Sequence, residues 1–185
     1  MATKRKTRKS HPTWKDLKPS LADFDRSGLV GLLKDLYSFS KDNQAFLHAR
    51  FGVGEDTLKP YKETISRWVC PDIPVQDYSV SKAKKAISDY RKAIGRAEGI
   101  AELTLFYCEE CISFLNSCGL DDEGYYYSLE SVFEQALKVI GTIEPKKQYQ
   151  FIDRLEQICH ASHGFGWGVP DYMDDLMSEY GFDNE

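Results

Sequence analysis

The stretch AEGIAELTLFYCEECISFLNSC, residues 97–118, decides the fold class. Ile100, Leu103, Tyr107, Cys111, Phe114 and Cys118 recur at steps of three and four, the interval at which residues share one face of an α-helix. It is the most apolar helical segment of the chain, so it is the expected central helix. The flanking sequence then has to supply the helices that cover it.

Toward the C-terminus, Asp121, Asp122 and Glu123 suit the positive end of a following helix, in which Leu129, Phe133, Leu137 and Ile140 point to the core and Gly141 closes the run. A further helix opens at Pro145 with Ile152, Leu155 and Cys159 inward. After the loop GFGWG, a last one brings Tyr172, Met173, Leu176 and Met177.

Toward the N-terminus, a helix beginning near Ser79 or Ser81 turns Val80, Ala83, Ile87, Tyr90 and Ile94 inward and ends at Gly95. Before it, residues 56–69 carry a stripe of Leu58, Tyr61, Ile65 and Trp68. Pro60 falls in the first turn, where its missing N–H is harmless, and CPDIP stops the helix. Ser40 caps a helix that holds Phe46 and Leu47 and ends at the glycines of FGVG. Residues 27–39 place Leu29, Leu32, Leu33 and Leu36 on one face, and a short turn at 14–17 runs into Pro19.

No window alternates polar and apolar residues long enough to require a strand. The expected fold is all-α, with about seven or eight antiparallel helices in an irregular helical-hairpin bundle or a short α-solenoid. No fixed sequence period identifies a named repeat.

With 185 residues, 42% of them apolar, the chain is long enough for one core. The expected organisation is a flexible basic tail over 1–12, a single helical domain over 13–182 and an acidic end at 183–185. No run approaches the roughly 18 apolar residues of a membrane span, and no signal-peptide pattern follows the basic start. Five cysteines without an export signal read as reduced thiols, so the expected location is cytoplasmic, without a membrane partner. The net charge of −5 hides two opposed halves. Residues 1–100 carry 20 Lys and Arg against 12 Asp and Glu, whereas residues 101–185 carry 4 against 17.

The segments SKAKKAISDY (81–90), YYSLESVFEQAL (126–137) and GFGWGVPDYMDDL (164–176) resemble those of an uncharacterised bacterial family of small all-helical proteins, a domain of unknown function. The resemblance covers most of the chain after the basic tail. It implies helices and supplies no catalytic residue.

Few residue patterns suggest chemistry. Cys108 and Cys111 form CxxC, and Cys159, His160 and His163 add soft ligands, but a zinc knuckle needs its CxxC on a turn. These cysteines lie mid-helix, where they read as small core hydrophobes. A Cys–His nucleophile with His160 or His163 as base competes with a helix-capping role for both imidazoles, and His48 reads the same way. Glu-x-x-His, the di-metal signature of helical bundles, does not occur. The doublets Glu109–Glu110, Asp121–Asp122 and Asp174–Asp175 read as solvated faces and helix starts. FGVGEDT (51–57) lacks a Walker lysine and a preceding strand. No cofactor, metal or catalytic residue is expected, and the chain reads as non-enzymatic.

Two features point outward. The loop GFGWGVP (164–170) sets Phe165 and Trp167 among residues that permit tight turns, either to tuck Trp167 into the bundle or to show it to a partner. With Tyr172 these form the candidate partner-binding set. The basic residues Lys4, Arg5, Lys6, Arg8 and Lys9 of the tail, with Lys82, Lys84, Lys85, Arg91 and Lys92 of the fourth helix, form a candidate phosphate-binding set. The leading reading is a helical protein-interaction module whose partner is another protein. The alternative is a nucleic-acid-associated protein that grips the phosphate backbone. The sequence leaves the oligomeric state open.

Overall fold

The computed structural model describes residues 12–54, 56–72 and 76–182. The expected basic tail residues Lys4, Arg5, Lys6, Arg8 and Lys9, and the acidic end at 183–185, lie outside them. Among the described residues there are nine helices and no strand: α1 (Trp14–Ala22), α2 (Arg26–Phe39), α3 (Lys41–Phe51), α4 (Lys59–Val69), α5 (Val80–Ala93), α6 (Ala97–Cys118), α7 (Glu123–Ile140), α8 (Pro145–Ser162) and α9 (Val169–Glu179). The fold is all-α, and no described helix is long and apolar enough to cross a membrane.

Where one domain was expected over 13–182, the chain clusters into two units that divide at Gln44 and Ala45. The physical reason lies in the first unit, where no described residue of α1 or α2 is buried. Leu29, Leu33 and Leu36 do share a face, as their spacing requires, but all three are exposed. The expected opening turn is a complete helix. Thr13 and Asp16 close a capping box at its start, with the Thr13 N–H donating to Asp16 Oδ2 at 2.7 Å, and Pro19 sits inside the helix. Asp25 caps α2 by accepting the Gly28 N–H at 2.7 Å.

In the second unit, α6 is the hub. Its twelve buried residues lie all around the helix, and it packs against α4, α5, α7 and α8, while α9 lies on α7 and α8. A helix touched by four others has no counterpart in a solenoid, where each repeat meets only its neighbours, so this unit is a bundle. Ile100, Leu103, Tyr107, Cys111 and Phe114 are buried as their spacing predicts, but Cys118 is exposed. It is the last residue of α6, and left-handed Gly119 caps the helix there.

Local chemistry sets the ends. The Asp56 carboxylate accepts the N–H groups of Leu58 and Lys59 at 2.9 and 3.3 Å, so α4 starts three residues later than the apolar stripe suggested. Asp122 caps α7 by accepting the Tyr125 N–H at 2.7 Å. Buried hydroxyls then join helices across the core. Tyr107 Oη and Ser128 Oγ share a hydrogen bond of 2.6 Å, and the Tyr125 hydroxyl donates to the Val69 carbonyl. Such partners offset the desolvation of buried polar groups, which would otherwise cost about 1–3 kcal/mol each.

Candidate partner-binding site

The C-terminus of α8 and the start of α9 shape the loop that joins them. Ser162 donates its hydroxyl back to the Cys159 carbonyl at 2.7 Å, and the Phe165 N–H donates to the Ser162 carbonyl at 2.8 Å, turning the chain sharply out of α8. Buried Val169 and half-buried Pro170 then start α9 after Gly168, whose φ is 72°. Between these anchors Trp167 has φ 61°, the one positive φ outside glycine among the described residues. For an L-residue this left-handed conformation costs roughly 1–2 kcal/mol. The Trp167 side chain is 57% exposed, and its Nε1–H donates to Asp121 Oδ1 at 3.0 Å.

Phe165 behaves differently. It is half-buried against the core, edge-on to Tyr126 with ring centroids 6.0 Å apart. The two aromatics of the loop therefore divide the roles that the sequence left open for Trp167: Phe165 plugs the bundle and Trp167 stands outside it.

Negative charge borders this aromatic surface. Glu123, Tyr127, Glu130 and Glu134 fall at i, i+4, i+7 and i+11 on α7 and so share one face. Tyr172 on α9 is 43% exposed. Burial raises its hydroxyl pKa first, followed by the nearby carboxylates of Glu134, Glu130 and Glu179. Tyr127, also exposed, is raised by Glu123 and less strongly by Glu130. The Tyr180 hydroxyl donates to Glu134 at 3.4 Å, and Lys138 pairs with the same carboxylate. Asp171 and Asp175 on α9 are exposed.

Comparison with protein-family models, curated proteins and solved structures returns no match to this chain. The resemblance of segments 81–90, 126–137 and 164–176 to an uncharacterised bacterial family draws no support from these comparisons.

A cleft of about 380 Å³ lies beside the loop, lined by Glu156, Cys159, His160, His163, Asp174, Met177 and Phe182. His163 Nε2 is 3.4 Å from Asp174 Oδ2, and the His160 and His163 rings meet edge-on at 5.7 Å. Burial first, then Asp174 and Glu156, pushes the Cys159 thiol up to about 12. Nucleophilic attack needs the thiolate. Cys159 is therefore a protonated thiol near neutrality, despite the imidazole of the adjacent residue. Cys108 and Cys111 are fully buried on α6, where burial raises both thiols. Among the described residues no group of three or more His, Cys, Asp or Glu is placed to hold a metal ion.

The basic residues of α5 do not act as one free face. Lys82 sits over the Trp68 ring, 3.6 Å from its centroid, a cation–π contact. Lys85 pairs with Asp89 at 2.6 Å, and Lys92 approaches the same carboxylate at 3.9 Å. At roughly 100° per residue, Lys82 and Lys84 stand about 200° apart around the helix. Lys84, which is half-buried, and Arg91, which is exposed, thus line the opposite margin.

Sequence reading missed the strongest polar feature of the bundle. Arg154 of α8 donates through Nε and Nη2 to Glu109 at 2.6 and 2.8 Å and through Nη1 to Glu102, while Lys62 of α4 reaches Glu102 at 2.6 Å. Four charges from three helices interlock here. The only sequence signal was one arginine in an otherwise acidic half. The role of Asp121 as the indole partner left no signal, because Asp121 and Trp167 are 46 residues apart.

Proposed function

We propose that this chain is a non-enzymatic helical interaction module that uses Trp167, with Tyr172 and the surrounding carboxylates, to hold a basic segment of another protein. The observation that carries this reading is the exposure of Trp167: a large apolar ring held outside the core, at a left-handed φ, by a hydrogen bond to Asp121. Rigid aromatic anchors of this kind dominate interface energetics. The carboxylates around Tyr172 favour cationic side chains, and an arginine or lysine laid on the indole face would add a cation–π contact. The protonated Cys159 supports a binding role over a catalytic one. The phosphate-binding alternative is weakened at α5, where Lys82, Lys85 and Lys92 already meet Trp68 or Asp89.

The test is affinity capture of the tagged chain from its native cells after nuclease treatment, comparing wild type with Trp167→Ala. The expected result is a nuclease-resistant protein that wild type retains and the variant loses, with unchanged circular dichroism. Equal retention by both would remove Trp167 from the interface, and loss of all retention on nuclease treatment would favour the phosphate reading.

A further inference from the structure

The cleft between α8 and α9 has no part in the reading of Trp167, and its lining stands out in this chain. The 185 residues include five cysteines, three methionines and four histidines. Four of these, Cys159, His160, His163 and Met177, are among the seven residues that line the cleft. Thiols, thioethers and imidazoles are the softer donors among side chains. Core packing accounts for Cys159 and Met177, which are 6% and 5% exposed. It does not account for His160 and His163, which are exposed and line the same cleft.

The register of the two helices gathers these donors. Asp174 of α9 stands opposite His163 at the end of α8, with 3.4 Å between Oδ2 and Nε2. One turn further along α9 comes Met177, and one turn back along α8 comes Cys159, which shares a helix face with His163. Asp174 then has a defined part. A carboxylate beside Nε2 favours the tautomer that carries its proton there, and the Nδ1 lone pair is left as a donor. Outer carboxylates orient metal-binding imidazoles in this way.

The donor set selects the ion. Among the described residues no three His, Cys, Asp or Glu are placed to hold a metal, which leaves zinc short of its usual protein ligands. Two such groups joined by a thioether suit copper(I), the ion that soft thiolate and thioether ligands favour. The carboxylates of Glu156 and Asp174 border the cleft and attract a cation to it. A bare ion also reaches a thiol that is too enclosed for a bulky reagent.

We propose that Cys159, His163 and Met177 form a binding site for a single copper(I) ion, with Asp174 orienting His163. Binding breaks the Cys159 Sγ–H bond and forms an Sγ–Cu bond; the proton leaves to solvent and the copper stays in its reduced state. The site is independent of the role of Trp167.

Anaerobic titration of the full chain with copper(I) against a chromogenic copper(I) chelator tests it, in a Cys118→Ser background that removes the exposed thiol. The expected result is one equivalent held per chain. Met177→Leu conserves volume while removing the thioether, and His163→Gln alters an exposed residue, so circular dichroism should be unchanged in both. Each should weaken copper(I) binding by about a hundredfold, and Asp174→Asn by about tenfold. In the unsubstituted chain, silver(I), a redox-inert stand-in, should shift the Met177 methyl resonance in NMR. Absence of copper(I) binding overturns the proposal, as does binding undiminished in both variants or a Met177 methyl signal that silver(I) leaves in place. Zinc(II) held as tightly as copper(I) overturns it in favour of a carboxylate–imidazole site.

Discussion

Gly99 lies in the first turn of α6, where it faces Tyr90 of α5. A Cβ added at Gly99 would sit 2.8 Å from Tyr90 Cε1 and closer still to Cζ and the hydroxyl oxygen. Ordinary carbon contacts are about 3.5–4.0 Å, so the ring would have to move by about 1 Å or more. It has little room to do so. Tyr90 is 3% exposed and stands edge-on to Tyr61, with ring centroids 5.4 Å apart at 85°. Two effects of Gly99→Ala then oppose each other. Helix propensity favours alanine by about 1 kcal/mol, whereas overpacking a rigid aromatic contact costs about 3 kcal/mol, the upper part of its usual range. The net expectation is a loss of about 2 kcal/mol, or about 1 M off the urea midpoint at a slope near 2 kcal/mol/M.

Gly141→Ala is the counter-case. Its φ is −58° and a Cβ added there would lie 3.5 and 3.7 Å from the carbonyl oxygens of Leu137 and Lys138, so the substitution should be stabilising by up to about 1 kcal/mol. Adding Tyr90→Phe to Gly99→Ala removes the closest atom and should recover part of the loss. A Gly99→Ala protein with an unchanged or higher urea midpoint would refute the packing argument for α5 on α6.

Two other outcomes follow from the bundle. Arg154→Met should destabilise by about 2 kcal/mol, between the small value of a surface pair and the 3–5 kcal/mol of a fully buried one, because it strands the carboxylates of Glu102 and Glu109. Burial pushes the Glu102 carboxyl up, but its contacts with Lys62 and Arg154 outweigh this and hold it below its ordinary 4.5. Its contribution is therefore present above that value and is lost as the pH falls through the lower, folded-state value. Urea titrations on the acid side should show a shallower pH dependence for Arg154→Met than for wild type, and identical slopes would argue against the network. With a thiol reagent, exposed Cys118 should react in the native protein. Cys108, Cys111 and Cys159 should react only on unfolding, and rapid native labelling of Cys108 or Cys111 would contradict their place in the core.

The all-helical class and the identity of the central helix were legible in the sequence, because the three-four spacing of Ile100 through Phe114 is a local consequence of helix geometry. The caps at Asp122 and Ser40 and the proline starts of α4 and α8 were legible for the same reason. Spacing shows that residues share a face without showing whether anything covers it. Leu33 and Leu103 both lie on helical stripes, yet one is exposed and the other fully buried. Pairings between distant residues were beyond reach as well: Trp167 with Asp121, Arg154 with Glu102 and Glu109, and Lys82 with Trp68. Local sequence sets periodicity and capping within a few residues, whereas burial and charge pairing depend on which helix faces meet, and tertiary packing alone decides that.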